Sequence, residues 1–217
     1  MLQTLQVDRV EGAEAVLAWV EAAAGPDCVV AVDAPLVIRN VAGIRAAEQE
    51  LNREFRRYDA GCHAANLGRP FAANVTGFSA RLEELGFGQG AFEAARAPGR
   101  FQIEVHPHAA TIRLFGLERI VKYKRGLRAE RARELGRLRQ LMVQHLPTLD
   151  PPCQPRLPAV PRTGPLKPAE DQIDAVLCAY IAAHWWYWGT ARNAVYGDRD
   201  SGSIVVPRAA PGADHTA

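Results

Sequence analysis

The clearest hydrophobic pattern lies late in the chain. From Pro168 to about Trp188, the residues Ile173, Val176, Leu177, Tyr180, Ile181 and His184 fall on one helical face at roughly 100° per residue. Pro168 suits a first helical position, where its missing N–H has no partner to lose. Asp174 projects into the same arc, between Ile181 and Trp185, and Asp171 lies nearly one turn earlier on the same side. A carboxylate aimed at a buried face is costly unless something pairs with it, and a bound cation is one such partner. Acidic residues in a first turn complement the helix dipole, which accounts for Glu170 and Asp171 but not for Asp174.

Earlier in the chain the period switches between two and 3.6. Leu2 to Val7 alternates and predicts a short strand; Glu11 to Ala24 predicts an amphipathic helix with Ala15, Val16, Ala18, Trp19 and Ala22 on its apolar side. Cys28 to Val32 is a continuous apolar run that suits a strand covered on both faces, closed by Asp33 and stopped by Pro35. Gly43 to Tyr58 predicts a helix with Ile44, Ala47, Leu51, Phe55 and Tyr58 inward and Arg45, Arg53, Arg56 and Arg57 on the other side. Asp59 to Thr76 reads as a long loop of the kind that carries function, and Phe78 to Phe87 as a short helix. Phe101 to His106 alternates as a strand, Pro107 opens a helix, and Leu127 to His145 forms another. Residues 147–168 hold eight of the fifteen prolines and predict an extended connector inside the domain; Ser203 to Val206 is a last strand. Strands alternating with helices predict an α/β fold, one domain over residues 1–208 with a frayed tail over 209–217.

Composition adds limits. With 217 residues, 48% hydrophobic and 23% charged, the chain is of ordinary globular type, and its net charge of +2 does not by itself demand an anionic partner. The charge is unevenly spread, because Glu118 to Arg139 holds nine Lys or Arg against three Glu. The four cysteines are dispersed without a C-x-x-C pair, which favours reduced thiols in the cytoplasm over a disulfide framework or a zinc site. The longest apolar run, Ala175 to Gly189, is short for a membrane span and contains His184.

Four carboxylates stand where carboxylates are unexpected: Asp33 at a strand end, Glu104 on the strand before His106-Pro107-His108, and Asp171 with Asp174. In open α/β sheets ligands collect outside the carboxyl ends of strands. Converging carboxylate oxygens need neutralisation, and hard oxygen donors favour Mg²⁺ or Mn²⁺. Two such ions, roughly 3.5–4 Å apart, activate water and stabilise the leaving oxygen of a phosphodiester. His106 and His108 are candidate acid or base groups, with a structural role equally open. Lys122, Lys124, Arg125 and Arg128 are candidate phosphate contacts, against the alternative of a solvated basic helix face. Trp185, Trp186 and Trp188 read as core or interface side chains rather than stacking platforms.

Several stretches, in order, resemble the DUF429 family: Val30 to Leu36, Glu50 to Arg53 with Tyr58 to Gly61, Glu104 to Ala109, Lys122 to Lys124, Asp171 to Ala175, and Gly202 to Pro207. That family is regarded as one of predicted RNase H-like nucleases. The resemblance implies an RNase H-like mixed sheet flanked by helices, with a carboxylate-bound divalent metal, and Asp171-x-x-Asp174 looks like the late acidic pair of Holliday-junction-resolvase-type members of that fold. Members of the family normally open with a strand bearing a Gly-Ile-Asp-Gly-like motif, whose aspartate is the first metal ligand. Here Val7-Asp8-Arg9 is the nearest match and lacks the glycines. The expectation is therefore an N-terminally truncated sheet, explained by an upstream start or by a degenerate paralogue. Such a sheet leaves the Cys28–Asp33 strand with an open edge and favours pairing with another chain, including a homo-oligomer.

Two functions follow. One is a metal-dependent nuclease acting on nucleic acid, with Asp33, Glu104, Asp171 and Asp174 as ligands. The other is a catalytically degenerate module of the same fold that binds nucleic acid or regulates.

Overall fold

The computed structural model describes residues 1–208. The predicted tail over 209–217 lies outside them. The organising unit is a three-stranded parallel sheet in the order β2 (Cys28–Val32), β4 (Arg100–Glu104), β3 (Gly88–Gln89), so β4 is central. Val32 of β2 stands opposite Glu104 of β4, which brings both strand ends to one level. Just beyond, Val105 bridges in parallel to Val205 of β7 (Gly202–Pro207), and β7 pairs antiparallel with β6 (Asn193–Asp198). β1 (Leu2–Gln3) makes a short parallel pair with β5 (Cys153–Gln154). The sheets are thus mixed α/β with parallel strands flanked by helices. Among the described residues β2 has no strand on its second edge.

Helices cover both faces of the parallel sheet. On one side, α1 (Ala13–Ala23) and α3 (Ala72–Glu84) bury Leu17, Val20 and Leu82 against Cys28, Val30 and Val32. On the other, α5 (Arg128–His145) and α6 (Lys167–Trp188) join Val29, Ala31, Ile103 and the side chains of α4 (Pro107–Phe115) in the largest core cluster. α2 (Ala46–Phe55) packs Ala47, Leu51 and Phe55 against Ala109, Ile112, Ile204 and Val206. The six apolar and histidine positions predicted for one face of α6 are all buried. Trp185 is buried too, and its ring lies so close to Gly90 that a Cβ there would approach it to 3.0 Å and Phe101 to 2.7 Å.

Several expectations need correction. The inward side of α1 is Val16, Leu17 and Val20, whereas Trp19 is turned out and donates its indole N–H to Asp8. The predicted stripe followed the small alanines, but the larger aliphatic pair carries more buried area per residue. The alternation of apolar and polar residues in β4 does not leave a polar face in water. Both faces are covered, and Gln102 is buried with hydrogen bonds to Ser79 and the carbonyls of Ser79 and Phe87. Arg45 does not lie on the polar side of α2. It is buried, because Glu104 beneath it is a buried acid requiring a donor. The Leu2–Val7 strand shortens to two residues, the long loop ends earlier as α3 begins at Ala72, and the proline-rich connector contains β5.

Candidate functional site

A cleft of about 660 Å³ opens at the carboxyl ends of β2 and β4. Its walls come from Asp33 to Pro35 after β2, Glu104 to His108 running from β4 into α4, the loop from Asp59 to Phe71 and the segment Ile120 to Arg125 after α4, with Glu48 of α2 and Ile204 of β7 completing them. β2 must end at Asp33 because Pro35 cannot extend a ladder. α6 lies against β2 and brings Asp174, in its second turn, to the same place.

At the centre, the Lys124 ammonium bridges two carboxylates. Its Nζ is 3.6 Å from Asp33 Oδ2 and 3.1 Å from Asp174 Oδ2. The second oxygen of Asp174 accepts a 2.7 Å hydrogen bond from the Tyr123 hydroxyl. Burial raises the Asp33 carboxyl to about 6, with Lys124 pulling it down and Asp174 pushing it up. Ion pairs this open to solvent, with Lys124 and Asp33 each over a third exposed, contribute at most about 1 kcal/mol. Stability alone is a weak reason for holding the two acids together.

The predicted site residues separate into groups. Asp33 and Asp174 meet. Glu104 lines the cleft floor, but both its oxygens are occupied: Arg45 donates to Oε1 at 2.6 Å and to Oε2 at 3.0 Å, and the Leu36 N–H donates to Oε2 at 3.1 Å. Burial pushes this carboxyl up to about 7 against the pull of Arg45. Arg45 also donates to Glu48 Oε1 at 2.6 Å and to the Val37 carbonyl at 2.7 Å, so one guanidinium serves two buried acids. Asp171 stands apart on the surface of α6, paired with Lys167 and with Arg9 at 3.7 Å.

His106 and His108 both line the cleft, their rings 5.9 Å apart. His106 donates through Nε2 to the Ala60 carbonyl at 3.1 Å. Burial lowers both imidazoles to about 4, with the mutual repulsion of the pair adding for His106 and Lys124 adding for each. They are neutral groups at ordinary pH and weak bases. Of the basic candidates, Lys122, Lys124 and Arg125 line the cleft, and Lys122 pairs with Asp59 at 3.1 Å. Arg128 turns away and donates to the carbonyls of Gly164 and Pro161.

Among the described residues no three His, Cys, Asp or Glu side chains converge on one point. Of the four carboxylates expected as ligands, Asp33 and Asp174 are the two that could share a hard cation. Asp33 and Asp174 offer oxygens around a position where Lys124 already stands as a positive charge, while Glu104 is committed to Arg45. Mg²⁺ is commonly held by one or two carboxylates, with waters and phosphate oxygens completing its shell.

A family model described as a protein of unknown function, DUF429, matches residues 3–200. The chain belongs to that family. No curated protein and no solved structure matches it. In this DUF429 chain the segments that carried the resemblance converge. Val30 to Leu36, Glu104 to Ala109 and Lys122 to Lys124 contribute cleft residues, and the start of α6 contributes Asp174. Six participants were not among the candidate site residues. Arg45 looked like one of several surface arginines, and nothing in the local pattern marks it as buried. Tyr123 sits between the two chosen lysines, and its neighbours were a usable signal. Asp59, Cys62, His63 and Phe71 belong to the long loop whose length and small residues had already marked it as functional. No helix among the described residues is long and apolar enough to cross a membrane.

Proposed function

We propose that this protein is a divalent-metal-dependent phosphodiesterase of RNase H-like fold that acts on nucleic acid. The observation that carries the reading is the meeting of Asp33 and Asp174, separated by most of the chain, around one positive charge in a cleft rimmed by Lys122 and Arg125. Parallel pairing of β2 with β4, an aspartate directly after β2, and a late acidic helix packed beside β2 support the fold assignment. The free edge of β2 is where a sheet of that kind continues.

Asp33 and Asp174 would hold Mg²⁺ or Mn²⁺, the Lys124 ammonium moving from between them to a phosphate oxygen. The cation supplies Lewis-acid stabilisation of charge on a phosphoryl group. Lys122 and Arg125 bind backbone phosphates, which gives affinity without reading sequence. Tyr123 holds Asp174 by one oxygen and leaves the other directed at Lys124. Glu104, kept in place by Arg45, forms the floor rather than a ligand.

The test is cleavage of DNA, RNA and hybrid oligonucleotides with Mg²⁺ or Mn²⁺, comparing the native chain with Asp174→Asn. Turnover abolished by the substitution is expected. Absence of turnover on every substrate, where the cation demonstrably binds, eliminates the reading. A second reading, a non-catalytic nucleic-acid-binding module, draws on Lys124 occupying the cation's position and Glu104 being consumed by Arg45. It expects salt-dependent binding without cleavage, insensitive to Asp174→Asn.

A further inference from the structure

Phe71 is an unusual side chain for its position. It is 41% exposed, yet it lines the same cleft as Lys122, Lys124 and Arg125. A single exposed apolar side chain is ordinary on a protein surface; what sets this one apart is its place in a cleft that also carries three cationic side chains. The backbone that carries the ring is fastened. Its carbonyl accepts the Val75 N–H at 3.1 Å in the first turn of α3. The loop before it is fastened to residues 40–43 by Leu67 N–H to the Asn40 carbonyl (2.9 Å), Gly68 N–H to the Val41 carbonyl (3.3 Å), and Asn66 Nδ2 to the Gly43 carbonyl (2.8 Å). A loop held this way presents its ring with little ordering left to lose on binding.

The cleft thus combines cationic groups on the 122–125 segment with an apolar ring on the well-anchored 59–71 segment. A bare phosphate or a general polyanion has use for the first and none for the second. A nucleotide has a use for both, and about 660 Å³ lies within the range of pockets that hold ligands of that size. In a duplex the faces of the bases are covered by their neighbours, so a protein ring can stack only on an unpaired base.

We propose that Phe71 is the stacking platform for an unpaired base of a single-stranded nucleic acid whose phosphates lie along Lys122, Lys124 and Arg125. The inference rests on the phosphate reading of the same cleft and narrows its substrate class from nucleic acid in general to single strands or unpaired segments. Stacking on an aromatic ring tolerates any base, so no sequence preference accompanies it.

The experiment is an anisotropy titration of the full chain with a labelled single-stranded oligonucleotide and with the duplex of the same sequence, at fixed salt. Phe71→Ala and Phe71→Leu should each weaken single-strand binding by about five- to a hundred-fold and leave duplex binding unchanged, since leucine keeps apolar area but loses the ring face. Phe71→Trp should retain affinity, and its indole fluorescence should be quenched by the bound single strand. Lys122→Ala should weaken both ligands. If Lys122→Ala weakens binding while Phe71→Ala does not, stacking is refuted and the phosphate cleft stands. A loss of equal size for duplex and single strand also refutes stacking. If the native chain binds neither ligand, both readings fall. If Phe71→Ala changes the sedimentation of the protein but not oligonucleotide binding, the ring belongs to a protein interface and the proposal is overturned.

Discussion

Replacing Arg45 with methionine removes the single cation that serves two buried carboxylates while keeping most of the side-chain volume. The guanidinium donates to both oxygens of Glu104, to Glu48 and to the Val37 carbonyl, and all three charged groups are buried. Breaking a buried ion pair by removing one partner costs about 3–5 kcal/mol, because the charge left behind is neither solvated nor paired. For a chain of this length that corresponds to a fall in Tm of roughly 6–20 °C. The loss should depend on pH, and its sign follows from Glu104. Without Arg45, burial holds this carboxyl in the folded state above its unfolded value of 4.5, with the Leu36 N–H left to oppose it. A raised folded value means that stability is fully present below the unfolded value and is lost as pH rises through the folded one. The gap between Arg45→Met and the native chain should therefore be smallest near pH 4.5–5 and widest above pH 7. Adding Glu104→Gln should recover part of it. Urea denaturation at several pH values measures this directly. A penalty below about 1 kcal/mol at pH 7.5, or a gap that widens as pH falls, would refute the claim that Arg45 neutralises buried charge.

Lys124→Ala should cost under about 1 kcal/mol of stability, since its ion pairs are partly exposed, and should tighten Mn²⁺ binding by calorimetry. Unchanged or weaker Mn²⁺ binding would mean that the ammonium is not standing in a cation's place. Followed by NMR, neither His106 nor His108 should titrate between pH 7 and 5, because burial holds both near 4. Their folded values lie below the unfolded 6.5, so the stability they contribute is intact above pH 6.5 and is lost as pH falls from there toward 4. Gly202→Ala should destabilise by at least about 2 kcal/mol in thermal melts. Its φ of +101° disfavours any side chain, and a Cβ would meet the Val37 carbonyl at 2.6 Å and Arg45 Nη1 at 2.8 Å.

The long elements were legible because their burial follows a single period. α6 repeats its apolar face for five turns, β2 is apolar throughout, and both appear where the pattern placed them. β3, β5 and β6 were missed for a physical reason. Two-residue strands have no period to read, and Asn193 to Asp198 owes its strand to pairing with β7 rather than to alternation. At the cleft, Asp33 and Asp174 were found because a carboxylate at the end of an apolar strand or inside a buried helical arc violates the local pattern. Asp171 resembled them by spacing, yet three positions along the helix leave it turned by roughly 60° from Asp174, toward Lys167 and Arg9. Glu104 stood out by its place on the strand before His106-Pro107-His108, not by any sign of burial, and its partner lies on a distant loop. Arg45 and Glu104 are joined only through tertiary structure, and a single sequence carries no sign of that pairing.

The run of prolines between α5 and α6 has a chemical asymmetry with a practical result. Proline contributes a carbonyl but no N–H, so such a segment has more acceptors than donors and its surplus carbonyls call for donors from outside it. α5 supplies them as guanidinium groups: Arg128 reaches the carbonyls of Pro161 and Gly164, and Arg139 that of Pro158. The segment therefore behaves as a strap laid along a helix rather than as a swinging tether. Brief trypsin treatment should leave the bonds after Arg156 and Arg162 uncut in the native chain and open them in Arg128→Ala/Arg139→Ala. Because the strap delivers the chain to the start of α6, slackening it should also loosen the position of Asp174.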